Sequence, residues 1–195
     1  MRPRAAIKRR VCLMLSDSDF FEAIGLKPPG STETAQHVAY FASLGAFVHV
    51  WAYWECIFDI CIFVIYHRSP QGKTIDKRRP LALARKLRYF RKAHASIPAL
   101  KQYADGAEKL AGFIERMSDL RHTIIHSANA PMETPLVREF RRILPDDITG
   151  DRVLEKRQKL DHQTIFEAAK LVTTLLAPTM TYAKLLMGLF PKDKD

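Results

Sequence analysis

The chain has 195 residues, enough for one domain with a full core and short for two. Apolar residues make up 47% and charged residues 27%, which excludes a chain too polar to build a core. The formal net charge of +10 favours polyanionic partners, nucleic acid or an anionic membrane face, and carries no information about the fold.

Residues 1–10 carry five basic side chains before a short apolar run, Val11-Cys-Leu-Met-Leu15. A secretory signal needs a longer apolar stretch and a small-residue cleavage site. Residues 1–30 therefore read as a basic, partly mobile arm, and residues 31–190 as a single domain. Three cysteines, Cys12, Cys56 and Cys61, form no CxxC pair. Neither a disulfide framework nor a zinc knuckle is indicated, and a reducing cytoplasm is the expected compartment. Cys56 and Cys61 read as small core residues.

Pro28-Pro29-Gly30 is a break, and Ser31 or Thr32 ahead of Glu33 looks like a helix start. The spacing then predicts one long helix over residues 35–66, with no proline and with His49, Glu55 and Asp59 as the titratable residues of its apolar stretch. It is long enough to span a bilayer, which takes about 20 apolar residues. Against that, Glu55 and Asp59 fall well inside it, and each would cost about 2.5–3.5 kcal/mol near a bilayer centre. Being four apart, they share one helix face. The favoured reading is the central helix of a soluble bundle; a helical membrane protein is the alternative.

Residues 67–79 are a polar, basic loop, and a second helix starts near Pro80. Leu83, Leu87 and Phe90 form its apolar face, with Arg85, Arg88 and Lys92 on the other side and Lys86 and Arg91 flanking. Between Lys77 and Lys92 there are eight basic residues and no acid. This is either a solvated helix face or a stripe that follows a phosphate backbone, and Arg85, Arg88 and Lys92 are the candidate substrate-binding residues. A third helix begins at Ile97-Pro98, and Leu100, Tyr103, Ala107, Leu110, Ile114 and Met117 follow the three-four spacing of a bundle seam. Residues 131–160 are irregular, with two segments, 136–144 and 152–160, that suit a short hairpin. Asp161 caps a last helix, residues 163–188, in which Pro178 should produce a kink. The fold class is thus all-α: an up-and-down bundle of four to five helices with a small irregular or hairpin insertion before the last one.

Chemistry concentrates at the end of the third helix, Glu115-Arg-Met-Ser-Asp119-Leu-Arg121-His122-Thr-Ile-Ile-His126. His122 and His126 are four apart and point from one face. Arg121 lies about 140° round from His126, yet its long side chain can curl back. An imidazole exchanges a proton near neutral pH, and a guanidinium holds two phosphate oxygens at once. The plain reading is also available: a cation at a helix C-terminus complements the macrodipole by about 0.3–1 kcal/mol. Glu115, Asp119, His122 and His126 form a stripe that zinc or iron would need Glu55, Asp59 or His49 to complete, without the paired Glu-x-x-His of di-metal bundles. No Gly-rich phosphate loop, nucleophile elbow or HExxH is present.

Arg121, a polar His122 directly after it and His126 five positions on resemble the motif of the HEPN superfamily. The layout is similar as well: a long first helix with Trp51, Trp54 and Glu55, a middle helix, a motif closing the third helix, and a last helix. The likeness covers roughly residues 35–130. It implies a helical bundle that dimerises with two motifs across a shared cleft, and a metal-independent endoribonuclease without cofactor, often a toxin with an antitoxin partner or an RNA-defence factor. By that analogy His126 moves a proton at the ribose 2′-hydroxyl or the leaving oxygen, Arg121 holds the scissile phosphate, and His122 orients or assists. Glu55 is expected to fix an imidazole tautomer or to pair with Arg121. The other class that stays open is a non-catalytic helical module binding RNA, nucleotide or a protein.

Overall fold

The structure, a computed structural model, describes residues 32–126, 128–130, 137–143 and 155–192. The basic arm at 1–30 and Cys12 lie outside these. In chain order the elements are α1 (Thr32–Arg68), α2 (Gly72–Ile75), α3 (Leu83–Ser96), a 3-10 turn (Pro98–Tyr103), α4 (Ala104–His126), β1 (Ala128–Ala130), β2 (Val137–Ile143), β3 (Glu155–Asp161) and α5 (His162–Leu189). This is a helical bundle with a three-stranded antiparallel sheet, order β1-β2-β3, set before the last helix. The expected all-α class therefore holds, and the expected hairpin is the β2–β3 pair, in register from Val137↔Asp161 to Ile143↔Glu155.

The bundle is built on the α1–α5 pair. Tyr40, Phe47, Trp51, Trp54, Phe58, Cys61 and Ile65 recur on α1 at alternating steps of three and four (one seven-residue step passes over half-buried Leu44) and are all buried. Ile165, Ala168, Val172, Thr179, Ala183 and Leu186 do the same on α5. Two such rows bury each other along their length, the pattern of a bundle seam. Trp51 and Trp54 are thus core residues. The opposite side of α1 exposes Val38, Phe41, Val48, Tyr53, Ile60 and Phe63. Cys56 is also exposed there, contrary to its expected core position, whereas Cys61 is buried and its thiol is pushed up to about 12 by desolvation. Among the described residues α1 is the one helix long and apolar enough to cross a membrane by length and composition.

Helices α3 and α4 form an antiparallel hairpin. Arg91 on α3 clamps it, donating from Nε to Glu108 at 2.8 Å and through its two terminal nitrogens to Glu115. α3 starts at Leu83 rather than near Pro80. The preceding loop is tighter than a polar linker, because it contains α2 and passes close to the end of α1. A Cβ on Gly72 would lie 2.1 Å from the Ile65 carbonyl oxygen, so the approach requires glycine. The Tyr89 hydroxyl donates to the Gly72 carbonyl at 3.0 Å and fixes α2 against α3.

Asp161 accepts the Thr164 backbone N–H at 2.6 Å and caps α5 as expected. α5 then runs from His162 to Leu189 with Pro178 inside it. The sheet contributes Phe140 and Leu160 to the core, and the Thr123 hydroxyl of α4 lies 3.2 Å from Gln158 Oε1 on β3. The last turns of α4 are thereby backed by the sheet, which is what positions the motif.

His94 is 1% exposed. Its Nδ1 donates to the Phe90 carbonyl at 2.7 Å, which leaves Nε2 to accept from the Tyr182 hydroxyl. Burial holds its pKa below the usual histidine value. The unfolded chain therefore binds this proton more readily, and stability is full above about pH 6.5 and falls as pH drops through that value. The denaturant midpoint is expected to decrease from pH 7.5 to pH 5.5, before carboxylates titrate, and His94→Gln is expected to flatten that slope. An unchanged slope in the variant would exclude His94 as its source.

Candidate functional site

The motif sits on the final turns of α4. His122 and His126, one turn apart, place their rings 5.3 Å apart between centroids. His122 Nδ1 lies 3.1 Å from the Ser118 carbonyl. A carbonyl can only accept, so the proton is on Nδ1, and Nε2 is the nitrogen with the lone pair. Arg121 does curl back: its terminal nitrogen donates to His126 Nε2 at 3.1 Å. A guanidinium never accepts, so this contact requires His126 to be neutral with its proton on Nδ1. Among the described residues Arg121 has no carboxylate partner, and its Nε is buried without an acceptor. The helix end therefore holds, beside two imidazoles, a guanidinium that no carboxylate among the described residues compensates.

Arg121 and His122 line a cleft of about 470 Å³ with Glu55, Leu81, Leu83, Ala84, Leu87, Glu115 and Ser118. His126 lies one turn beyond, at the exposed end of α4. Glu55 reaches the cleft as expected, but its expected role is corrected: its nearest cation is Lys86, at 3.8 Å, and His122 takes its tautomer from Ser118. Lys86 itself is 6% exposed and sits 2.5 Å from Asp59. Glu115, the other carboxylate of the cleft, is held by Arg91, which keeps its pKa below the usual range. Lys86 is shared between Glu55 and Asp59, and Arg91 between Glu108 and Glu115; among the described residues Arg121 is the one lysine or arginine that lines the cleft.

Arg85, Arg88 and Lys92 are brought together, but elsewhere. They line a second cleft of about 410 Å³ with Ile75, Asp76 and Tyr89. α3 separates the two clefts, since Leu83, Ala84 and Leu87 face one and Arg85, Arg88 and Lys92 the other. Sequence reasoning misses Asp76, because it lies in a loop that reads as featureless and basic.

Sequence reasoning also misses Lys86, although a signal for it exists. It falls on the apolar row between Leu83, Leu87 and Phe90, opposite a helix whose Glu55 and Asp59 share a face. A lysine on a core-facing row needs a carboxylate partner. The candidate metal stripe is dismantled by the same pairings: Glu115 is committed to Arg91 and Asp59 to Lys86, and no group of three or more potential ligands gathers among the described residues.

Fold and site together define a helical-bundle protein with a cationic, imidazole-bearing helix end open to a cleft. No family model, curated protein or solved structure matches the chain.

Proposed function

We propose that the chain is a HEPN-like, metal-independent endoribonuclease that cleaves RNA through the ribose 2′-hydroxyl. The observation that carries this reading is the Arg121–His126 contact, a guanidinium with no carboxylate partner among the described residues resting on the lone pair of a neutral imidazole, one turn from a second imidazole. An incoming phosphodiester competes for the guanidinium, because a bidentate charged contact is stronger than one bond to a neutral nitrogen. Drawing Arg121 onto the phosphate frees His126 Nε2 to take the 2′-hydroxyl proton. The 2′-oxygen attacks the adjacent phosphorus, the bond to the 5′-oxygen breaks, and that oxygen leaves as a hydroxyl with a proton from solvent, or from His122 once its Nε2 has itself been protonated. Arg121 stabilises the charge developing on the non-bridging oxygens. The products are a 2′,3′-cyclic phosphate and a 5′-hydroxyl. With this reading come a second copy of the chain as partner and, for a toxin, an antitoxin.

The same contact supports a second reading. Arg121 and His126 satisfying each other also makes a stable helix ending, as in a non-catalytic module that binds RNA or a protein. The two separate in one experiment: purified protein and an Arg121→Ala/His126→Ala variant, each incubated with labelled single-stranded RNA in EDTA. Cyclic-phosphate ends produced by the parent protein alone are the expected result. Intact RNA with both proteins, across several sequences, refutes the nuclease.

A further inference from the structure

We propose that the cleft between α2 and α3 is a second phosphate subsite for the same RNA strand, and that Asp76 occupies it as an internal anion which the strand displaces. The proposal rests on the RNA-cleaving reading for the identity of its ligand. It names what that reading lacks, a grip on the substrate away from the scissile bond.

The cleft brings three cations, Arg85, Arg88 and Lys92, onto one face of α3. The helix has no acid in its first turn, and none occurs between Lys77 and Lys92. Among the described residues the single carboxylate lining the cleft is Asp76, which reaches in from the preceding loop. Asp76 Oδ2 accepts from Arg85 at 3.1 Å, and Oδ1 accepts the backbone N–H of Arg78 at 3.3 Å. Two oxygens held by a guanidinium and a backbone N–H copy how such sites hold a phosphate. Among the described residues neither Arg88 nor Lys92 forms an ion pair with a carboxylate, although the Lys92 charge also helps hold the Asp76 pKa down, so three cations face one carboxylate and the cleft keeps two positive charges in excess. Tyr89, whose hydroxyl is committed to Gly72, forms a fixed wall.

The arrangement also sets the path of the strand. The motif cleft and this one are lined by different faces of α3, so an RNA held in both has to pass around that helix. Phosphate contacts of this kind fix register without reading bases. Displacing Asp76 exchanges one anion for another on Arg85 and adds Arg88 and Lys92, which is where the net gain lies.

The test is binding of a labelled single-stranded RNA by fluorescence anisotropy, in EDTA and in the Arg121→Ala/His126→Ala background, so that cleavage plays no part. Arg88→Ala/Lys92→Ala is expected to weaken binding about five- to tenfold at 50 mM salt. It should also lower the salt slope by about 0.7 for each phosphate that is no longer neutralised. Asp76→Ala is expected to tighten binding severalfold, and this gain should vanish in an Arg85→Ala background. Asp105→Ala, which removes the same charge from the start of α4, is expected to change binding little. Equal gains from Asp76→Ala and Asp105→Ala, or a gain that survives Arg85→Ala, overturn the displaced-anion model. Unchanged affinity and slope in Arg88→Ala/Lys92→Ala overturn the subsite while leaving the nuclease reading intact. The expected binding pattern, in a protein whose parent cleaves no RNA, upholds the subsite and removes the nuclease.

Discussion

Arg121→Ala is expected to slow RNA cleavage by about 10²–10³-fold, the loss seen when one preorganised donor to a developing oxyanion is removed. The substitution removes a cleft cation that has no carboxylate partner among the described residues, Glu55 and Glu115 being paired with Lys86 and Arg91 instead. Among the described residues no other lysine or arginine lines that cleft to take over the phosphate. Arg121→Lys keeps the charge but cannot present two parallel N–H groups, so it is expected to recover a minority of the rate. Folding should be nearly unaffected, because the guanidinium's hydrogen bond is a partly exposed contact with His126. Single-turnover rates on a labelled RNA, beside melting curves for each variant, check this. Full activity in Arg121→Ala would remove the guanidinium from the mechanism. His126→Ala is expected to fall at least as far, with loss of the acidic, low-pH limb of the pH–rate profile, because a general base works only when unprotonated.

Trp54→Ala is expected to cost about 3–5 kcal/mol of stability, the range for truncating a buried aromatic ring. Trp54 is fully buried, stacked on Phe58 at 5.0 Å and tilted against Trp51 at 5.7 Å. Its indole N–H donates to the Thr179 hydroxyl at 3.2 Å, a buried side-chain hydrogen bond that joins α1 to α5. Domains of this size are stable by about 5–15 kcal/mol in total, so the variant should sit near the edge of folding. Trp54→Phe keeps most of the ring and loses the bond, and is expected to cost about 0.5–1.5 kcal/mol from that bond plus a smaller packing loss. Urea unfolding followed by circular dichroism measures both. A loss below about 1 kcal/mol for Trp54→Ala would show that the α1–α5 seam does not carry the fold.

The helices are legible in the sequence because their signals are local. Period and caps place α1 and α5 within a few residues, and Asp161 announces its own helix; the third helix, expected from Ile97-Pro98, opens there as a 3-10 turn and becomes α4 only at Ala104. The start of α3 is misplaced, since Pro80 suits a first turn equally well and nothing local separates it from Leu83. The Arg121, His122 and His126 cluster is readable because it lies within six residues of one helix, where spacing alone fixes geometry. What spacing does not give is the partner of each charge. Helix order matches Glu55 with Arg121, whereas Lys86 reaches it, and that choice depends on how α3 rotates over α1. Likewise Arg85, Arg88 and Lys92 group correctly, but the Asp76 that faces them comes from a loop whose path is set by Gly72 against Ile65.

The Trp54–Thr179 bond joins residues 125 apart in the chain, whereas the Arg91 clamp closes over 17 and 24. During synthesis the α3–α4 hairpin can therefore zip up soon after it leaves the ribosome. Counted from its own synthesis at about 5–20 residues per second, the aromatic row of α1 waits ~6–25 seconds for the helix that will cover it. For that interval Phe47, Trp51 and Trp54 lack the α5 surface that covers them in the folded chain, and a holdase bound to the newborn chain would shield them. Expression yield should thus respond to such a chaperone, and slowing translation across α5 should lower the soluble fraction.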